Sequence, residues 1–427
     1  MRIVKFVLLT IVAMILWAVL VVGGTLEGWW HRPLAPTGDT QAFMDAIVAE
    51  ANANNAGNVA LALVHDGKVL GEHFASKGEA VDADTAFQVA SLSKWVTAWG
   101  VMALVEDGKV DLDAPIEAYL TRWSLPPSEF DHAGVTVRRL LSHTSGLTDG
   151  LGYGGFGPGT PVQTLEASLT RPADASPDAR VRVGNEPGRG WQYSGGGYTL
   201  LQLLIEEVTG ESFEAYMQRR ILRPLGMSRS TYLWDESSGI KLATFYDVDS
   251  SPAIHYRYTA LAAASLYTTL RDMITFVQAH VPGALGEPVG RGVLKQATLE
   301  AMRQPQAAQF GQSIWGLGTI LYASNNAGGY VIGHDGNNRP AINTAARINP
   351  ATRNGIVVFE TGNPHLATQI ANEWVFWETG NVDLLMLMMA ARTMLIAIVI
   401  GCLFILGGAV AIALYRRRAT SPPATSA

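Results

Sequence analysis

The stretch Phe87-Gln88-Val89-Ala90-Ser91-Leu92-Ser93-Lys94 decides how the rest of the sequence is interpreted. It places a serine three residues before a lysine, at the start of an apolar run that reaches Asp107. Positions i and i+3 share one face of a helix, so the Ser91 hydroxyl and the Lys94 amine are expected to touch. A lysine activates a serine only when its pKa is lowered, and the apolar residues that follow Lys94 favour this. The spacing therefore predicts a nucleophile and its base at a helix N-terminus, where free N–H groups can stabilise an oxyanion.

The same pattern occurs a second time, at Ser238-Gly239-Ile240-Lys241. This copy contains a glycine, follows acidic and small residues, and opens no apolar helix, so we interpret it as a loop. Ser-x-x-Lys arises by chance in a chain of 427 residues. The catalytic hypothesis for Ser91 therefore depends on the other motifs around it.

The composition is that of a globular chain, with 48% apolar and 16% charged residues. This is enough for one large domain or two smaller ones. A net charge of −6 gives no basic surface, so we predict no nucleic-acid partner. The single cysteine, Cys402, lies in a C-terminal apolar segment, which excludes disulfides and cysteine-type zinc sites from the region before it.

Both ends of the chain are hydrophobic. Phe6 to Val22 is a nearly unbroken apolar run behind Arg2 and Lys5, and Met394 to Tyr415 is an uncharged run followed by Arg416-Arg417-Arg418. Each run is long enough to approach the thickness of a bilayer. For the first run an uncleaved signal anchor is favoured over a cleaved signal peptide, because no small-x-small site is obvious before Gly23. Positive charge stays on the cytoplasmic side, so we expect both termini there and the region between them outside.

These features predict the following division of the chain: a signal anchor or signal peptide (1–24), a linker (25–40), a main domain (41–379), a juxtamembrane segment (380–393), a transmembrane helix (394–415) and a cytoplasmic tail (416–427).

The main domain begins and ends with strands. Apolar β-formers at 58–63 and 68–74 flank Asp66-Gly67, which is a strong hairpin signal. Further strands are predicted at 315–322, 330–332, 342–348 and 356–359, with Asn354-Gly355 as the turn before the last one. Helices are predicted at 41–52, 198–208, 212–222, 269–280 and 367–377. The layout predicts an α+β fold with one antiparallel sheet built from both chain ends, flanked by helices, with a mainly helical region inserted.

Two more segments carry candidate site residues. Tyr193 lies in Trp191–Tyr198, on a loop before a helix, where its hydroxyl could carry a proton beside Lys94. His334 lies in Gly333-His334-Asp335-Gly336-Asn337, beyond a predicted strand, where the N–H of Asn337 could face a carbonyl oxygen. Taken singly, each segment favours a buried structural side chain over a catalytic one. The sequence has no His-x-x-x-His or His-Glu-x-x-His pattern, so we expect neither a metal nor a cofactor.

Together and in this order, Phe87–Lys94, Val135–Leu147, Tyr193–Tyr198 and Gly333–Asn337 resemble motifs of the β-lactamase-related serine hydrolases. This group includes class C β-lactamases, D,D-carboxypeptidases, penicillin-binding proteins, D-aminopeptidases and family VIII esterases. The resemblance covers about residues 40–378. It is specific for the β-lactamase/transpeptidase-like fold and for serine acyl chemistry, but it does not select a substrate.

The resemblance implies a role for each matching residue. Ser91 would be the acylated nucleophile, Lys94 its base, and Tyr193 a second base for the leaving group and the water. His334 would take the place of the lysine in the family's Lys-Thr-Gly element. The N–H groups of Ser91 and Asn337 would form the oxyanion hole, with Gly336 and Gly195 lining the substrate-binding region.

One departure from the family pattern concerns the Tyr-x-Asn element, which reads Tyr193-Ser194-Gly195 here. The resemblance implies that the Asn side chain holds the substrate amide and orients the lysine, which Gly195 cannot do. Together with His334 this argues against an efficient β-lactamase. Gln192, which is close in sequence, is one possible substitute.

The sequence thus predicts a membrane-anchored serine hydrolase that acts outside the cytoplasm through a Ser91 acyl-enzyme. Its substrates would be D-amino-acid peptides or amides, β-lactams or small esters. The alternative is a non-catalytic or weakly acylating binding or sensor protein of the same fold.

Overall fold

A computed structural model describes residues 2–149, 152–309 and 311–419. Its contacts divide the chain into two compact units. One runs from Leu34 to Thr379 and holds the sheet and all the candidate site residues. The other combines the two chain ends, up to Pro33 and from Gly380 on.

The α-helices of the described residues are α1 Arg2–Leu26, α2 Thr40–Asn54, α3 Ser93–Glu106, α4 Val137–Leu141, α5 Leu165–Thr170, α6 Gly195–Thr209, α7 Phe213–Met217, α8 Leu261–Ala264, α9 Leu270–Gln278, α10 Gln296–Met302, α11 Leu366–Thr379 and α12 Leu384–Ala419. The strands are β1 Asn58–His65, β2 Lys68–Ser76, β3 Ala86–Gln88, β4 Tyr267–Thr269, β5 Ala307–Gln309, β6 Gln312–Trp315, β7 Ile320–Ser324, β8 Tyr330–Asn338, β9 Ile342–Asn349 and β10 Asn354–Thr361.

The main sheet joins the two ends of the domain. Its eight strands follow the order β2-β1-β10-β9-β8-β7-β6-β5. Strand β1 pairs antiparallel with β10, with Asn58 opposite Thr361 and Val64 opposite Gly355. The predicted fold class, an antiparallel sheet from both chain ends with a helical region between them, is confirmed.

Three details of the predicted strands are wrong. The strand expected at 315–322 is two strands, β6 and β7, because the chain turns at Gly318, whose φ of +78° favours glycine. Gly333–Asn337 lie within β8 rather than beyond a strand. Asn354-Gly355 opens β10 instead of forming the turn, since Asn349 pairs directly with Asn354.

The helical region positions the site against the sheet. Helix α3 is buried over nearly its whole length, and its Trp95 and Trp99 rings pack against Phe276 of α9. Helices α9 and α11 both contact β9 and β10. A one-turn 3₁₀ segment at Ala90–Leu92, just before α3, contacts β8, so the predicted nucleophile lies beside that strand.

The unit formed by the chain ends consists of two long apolar helices. Ile3–Leu26 and Leu384–Arg416 are long and apolar enough to cross a membrane, although a signal sequence passes the same test. The second helix begins ten residues before the predicted span. Trp17 donates its indole N–H to the carbonyl of Ala397 at 3.1 Å, and a Cβ on Gly401 would lie 1.9 Å from the same indole nitrogen.

Candidate active site

Ser91 and Lys94 lie on one helical segment, as their spacing predicts. Strand β3 leads into the 3₁₀ turn through Ala90, whose φ of +48° is unusual for a residue with a side chain. Ser91 keeps partial access to solvent while the residues after it are buried. The Lys94 ammonium lies 3.0 Å from Ser91 Oγ.

The surroundings of Lys94 suit a base. Its side chain is only 2% exposed, and Nζ donates to the Ala263 carbonyl at 2.7 Å. Burial lowers the Lys94 pKa to about 7, against an opposing effect of the Asp149 carboxylate. A large neutral fraction therefore exists near pH 7, and a neutral amine can accept the Ser91 proton.

Tyr193 approaches the same serine from a different part of the chain. Its hydroxyl interacts with the Ser91 side chain, and its ring centroid lies 5.0 Å from Lys94 Nζ. Although the residue as a whole is 37% exposed, desolvation of the hydroxyl raises its pKa above the ordinary value, and the interaction with Ser91 opposes this. The hydroxyl is thus protonated near pH 7, which favours a proton carrier over a preformed phenolate.

The loop that carries Tyr193 is tied to a buried carboxylate, Asp149, which is missing from the sequence-based site. Asp149 accepts from the Gly196 N–H at 2.6 Å and from the Ser194 hydroxyl by a short hydrogen bond. Ser194 is also the N-cap of α6 and accepts from the Gly197 N–H at 2.8 Å. Asp149 therefore fixes the N-terminus of α6, directly after Tyr193, and supplies negative charge near Lys94.

His334 is buried on β8 and is not a cation. Its Nδ1 lies 2.7 Å from the Asp335 carbonyl, so Nδ1 carries the proton and Nε2 has the lone pair. Burial, helped by the positive charge of Lys94, lowers the His334 pKa to about 3. The family's lysine at this place would bring positive charge, whereas this chain has a neutral ring.

Gly336 permits the close approach of β8 to the Ser91 turn. A Cβ at this position would lie 2.1 Å from the Val89 carbonyl oxygen and 3.1 Å from the Leu92 nitrogen. The His334 side chain leaves β8 on the face to which a Cβ at position 336 would point, because alternate residues of a strand share a face. The structure therefore brings both of them to the nucleophile.

Asn337 has its N–H on the edge of β8 that pairs with β7. The Gly333 N–H points to this edge, since it donates to Thr319 Oγ1 beside β7. N–H groups two residues apart point the same way, so that of Asn337 follows it. The Asn337 side chain points elsewhere and donates to the Pro364 carbonyl. The Asn337 side chain is therefore engaged outside the site, and the oxyanion role of its N–H stays a prediction.

Gly195 is the first residue of α6 and is buried. Gln192, the possible substitute for the missing Asn, is exposed, and its amide oxygen accepts from Asn185 at 2.8 Å. Gln192 therefore does not take the place of the Asn. Among the described residues no three His, Cys, Asp or Glu side chains are grouped as a metal site.

A family model for beta-lactamases matches residues 44–375, so the chain belongs to the beta-lactamase family, a family of serine hydrolases. It is 29% identical over 272 residues to penicillin-binding protein 4 of Amycolatopsis lactamdurans, covering 61% of this chain and 68% of the relative. It is 32% identical over 160 residues to esterase EstB of Burkholderia gladioli, covering 35% and 39%.

Among solved structures, the chain is similar to the octameric penicillin-binding protein homologue from Pyrococcus abyssi. The TM-score is 0.66 at 24% identity, with 81% of this chain and 78% of the other covered. This likeness supports the fold alone. The match to EstB spans less than half of that relative, so substrate and activity are matters for proposal.

Proposed function

We propose that this protein is a serine hydrolase that forms an acyl-enzyme on Ser91. The observation that carries the proposal is the 3.0 Å contact between Ser91 Oγ and a buried Lys94 whose pKa is lowered to about 7. A lysine kept only for structure gains nothing from losing its charge, whereas a base needs this at neutral pH.

In the first step neutral Lys94 takes the Ser91 proton while Oγ attacks the substrate carbonyl. The bond from Oγ to carbon forms, and the carbonyl electrons move to oxygen, where the N–H groups of Ser91 and Asn337 stabilise the charge. The bond to the leaving group then breaks. Its proton comes through Tyr193, which the Lys94 ammonium restores.

In the second step water attacks the acyl carbon and gives up a proton to Lys94 through Tyr193. The bond from carbon to Ser91 Oγ breaks, Oγ regains a proton, and the acid product leaves. In this proposal Tyr193 acts in both steps, because its hydroxyl interacts with the Ser91 side chain that the leaving group and the water must approach.

For the substrate class we propose small esters and D-amino-acid amides or peptides, with β-lactams turned over poorly. The neutral His334 ring offers no positive charge to the carboxylate that common β-lactams carry. Gly195 has no side-chain amide to hydrogen-bond the amide of a β-lactam substrate, as the family's Asn would. The similarity to a protein named an esterase supports including esters.

For location we propose that both apolar helices cross one membrane and that the domain lies outside the cytoplasm. The contact of Trp17 with Ala397 supports retention of the first helix, because Gly401 leaves room for an indole that only an uncleaved chain contains. In hydrocarbon such an interhelical hydrogen bond and close approach at glycine stabilise helix pairs.

The test is intact-mass spectrometry of the full chain in detergent, with and without a fluorophosphonate, beside Ser91→Ala. We expect one adduct on the wild type and none on the variant, and an unlabelled mass near 45.8 kDa. A folded wild type without an adduct would support the binding or sensor alternative. A mass that is lower by the mass of the α1 segment would show a cleaved signal peptide. If the adduct forms, untreated wild type is then screened with esters, D-amino-acid amides and lactams.

A further inference from the structure

His143 has an unusual backbone and a buried side chain. It follows α4, its φ is +58°, and it is 1% exposed. A residue with a Cβ is uncommon in this left-handed conformation, and Asn, Asp and His adopt it more readily than other such residues. The conformation persists only where surrounding contacts compensate for its cost, so these contacts indicate what His143 does.

Those contacts surround Tyr193 on both sides. The His143 carbonyl accepts from the Gln192 N–H at 2.8 Å, and its Nδ1 accepts from the Ser194 N–H at 3.1 Å. Its ring also lies against the Tyr193 ring, with centroids 4.4 Å apart and planes 36° apart. A single residue thus holds the backbone before and after Tyr193 as well as the ring itself.

The hydrogen bond from the Ser194 N–H to Nδ1 depends on the protonation state of His143. Since Nδ1 accepts a hydrogen bond, the neutral ring must carry its proton on Nε2, which is the opposite tautomer from His334. Within the described residues Nε2 has no hydrogen-bond partner, so the hydrogen bond from the Ser194 N–H to Nδ1 is the directional contact that the ring nitrogens make. Burial and the nearby charge of Lys94 keep the His143 pKa well below its ordinary value, which preserves the neutral ring.

We propose that His143 is a positioning residue for Tyr193, and that it acts through the Nδ1 acceptor of a neutral ring. The inference rests on the proposed role of Tyr193 as proton carrier. It assigns to His143 a function that neither the Ser-x-x-Lys spacing nor the Tyr193 loop suggests.

Three variants test this. His143→Asn keeps an acceptor oxygen near the place of Nδ1 and tolerates the backbone conformation. His143→Gln moves the amide out towards the place of Nε2, and His143→Leu removes every acceptor. With an amide or alkyl ester substrate we expect kcat to fall about 100-fold in the Leu variant with little change in KM, because proton transfer is worth about that much. We expect the Asn variant to stay within about fivefold of wild type and the Gln variant to resemble Leu.

A second measurement does not depend on turnover. Hydrogen exchange of the full chain, followed by mass spectrometry, should show faster exchange of a peptide spanning Gln192–Tyr198 in His143→Leu but not in His143→Asn. His280→Leu is the matched control, since that buried imidazole bonds Trp99 and lies outside the site. It should lower stability without changing exchange at 192–198.

The outcomes separate the two proposals. If the wild type is neither labelled on Ser91 nor active, the proposed function fails, and hydrogen exchange alone decides whether His143 holds the Tyr193 loop. If His143→Asn is as impaired as His143→Leu, or if His143→Leu retains full kcat and slow exchange, positioning through Nδ1 is wrong.

Discussion

The two sides of the proposed site are built differently. Ser91 and Lys94 are three residues apart on one helical segment, and this spacing alone brings their side chains to 3.0 Å. Tyr193 instead depends on His143 and Asp149, which bond the adjacent Ser194 from 51 and 45 positions earlier in the chain. The contact between a nucleophile and its base can therefore be predicted from spacing once other motifs select the right Ser-x-x-Lys copy, whereas a proton carrier on a loop depends on tertiary contacts.

The Ser91–Lys94 pair, which depends on local spacing, is tested most strongly by Lys94→Met. We expect kcat/KM to fall by about 10⁴, because Ser91 loses its base. We also expect stability to rise by about 1–2 kcal/mol, since a buried amine is replaced by an apolar side chain. The folded pKa of about 7 lies below the ordinary 10.5, so the unfolded chain binds more protons between these values. The gain should be largest at and below pH 7 and shrink at higher pH.

Lys241→Met is the matched control, because it alters the second Ser-x-x-Lys pattern. Lys241 is exposed, donates to the Ala80 carbonyl and pairs with Glu79. Esterase assays and thermal unfolding of both variants make the comparison. Equal activity of Lys94→Met and wild type would remove the base from the mechanism.

Tyr193, which depends on long-range contacts, is tested by Tyr193→Phe. This variant keeps the ring and removes the hydroxyl. We expect a loss of about 10³ with amide substrates, whose leaving group must be protonated. With nitrophenyl esters the leaving group departs as an anion, so the loss of acylation rate should be much smaller. Pre-steady-state kinetics with both substrates measure the difference. A loss that is the same for both would mean that Tyr193 shapes the site rather than carrying a proton.

The contact that joins the sheet to the Ser91 turn is tested by Gly336→Ala. The added Cβ would lie 2.1 Å from the Val89 carbonyl oxygen, so β8 must move away from the nucleophile. We expect about a 100-fold loss of activity and a stability loss of about 1–3 kcal/mol. Gly157→Ala is the control, because a Cβ there meets nothing within 4 Å. Wild-type activity in Gly336→Ala would show that β8 does not contribute to the site.

The same contrast explains what the sequence could predict. The hairpin at Asp66-Gly67 and the Ser91 helix depend on neighbouring residues, and both were found. Asp149 and His143 act on residues about 50 positions away. His143 lies in the Val135–Leu147 motif, but nothing in that motif alone shows that it contacts the Tyr193 loop, and none of the quoted motifs includes Asp149. Gly333–Asn337 was predicted to lie beyond a strand, whereas it lies within β8. Gly336 is required because β8 passes close to the Ser91 turn, which no property of the segment alone reveals.

The smallest expected effect is on the pH dependence of activity, because Asp149 beside the Tyr193 loop changes the pKa of Lys94. Below about pH 7 Lys94 is protonated and cannot accept the Ser91 proton, so kcat/KM should rise about tenfold per pH unit up to an apparent pKa near 7 and then level off. The Asp149 carboxylate, which holds the Tyr193 loop, raises the Lys94 pKa. Asp149→Asn should therefore shift the rise of kcat/KM to lower pH. His334 and His143 also face Lys94, but their pKa values are lowered well below this range and they stay neutral throughout. Profiles of wild type and variant with a neutral ester measure the shift. An unchanged midpoint would mean that Asp149 only caps α6, and a rise to higher pH would contradict the assigned interaction.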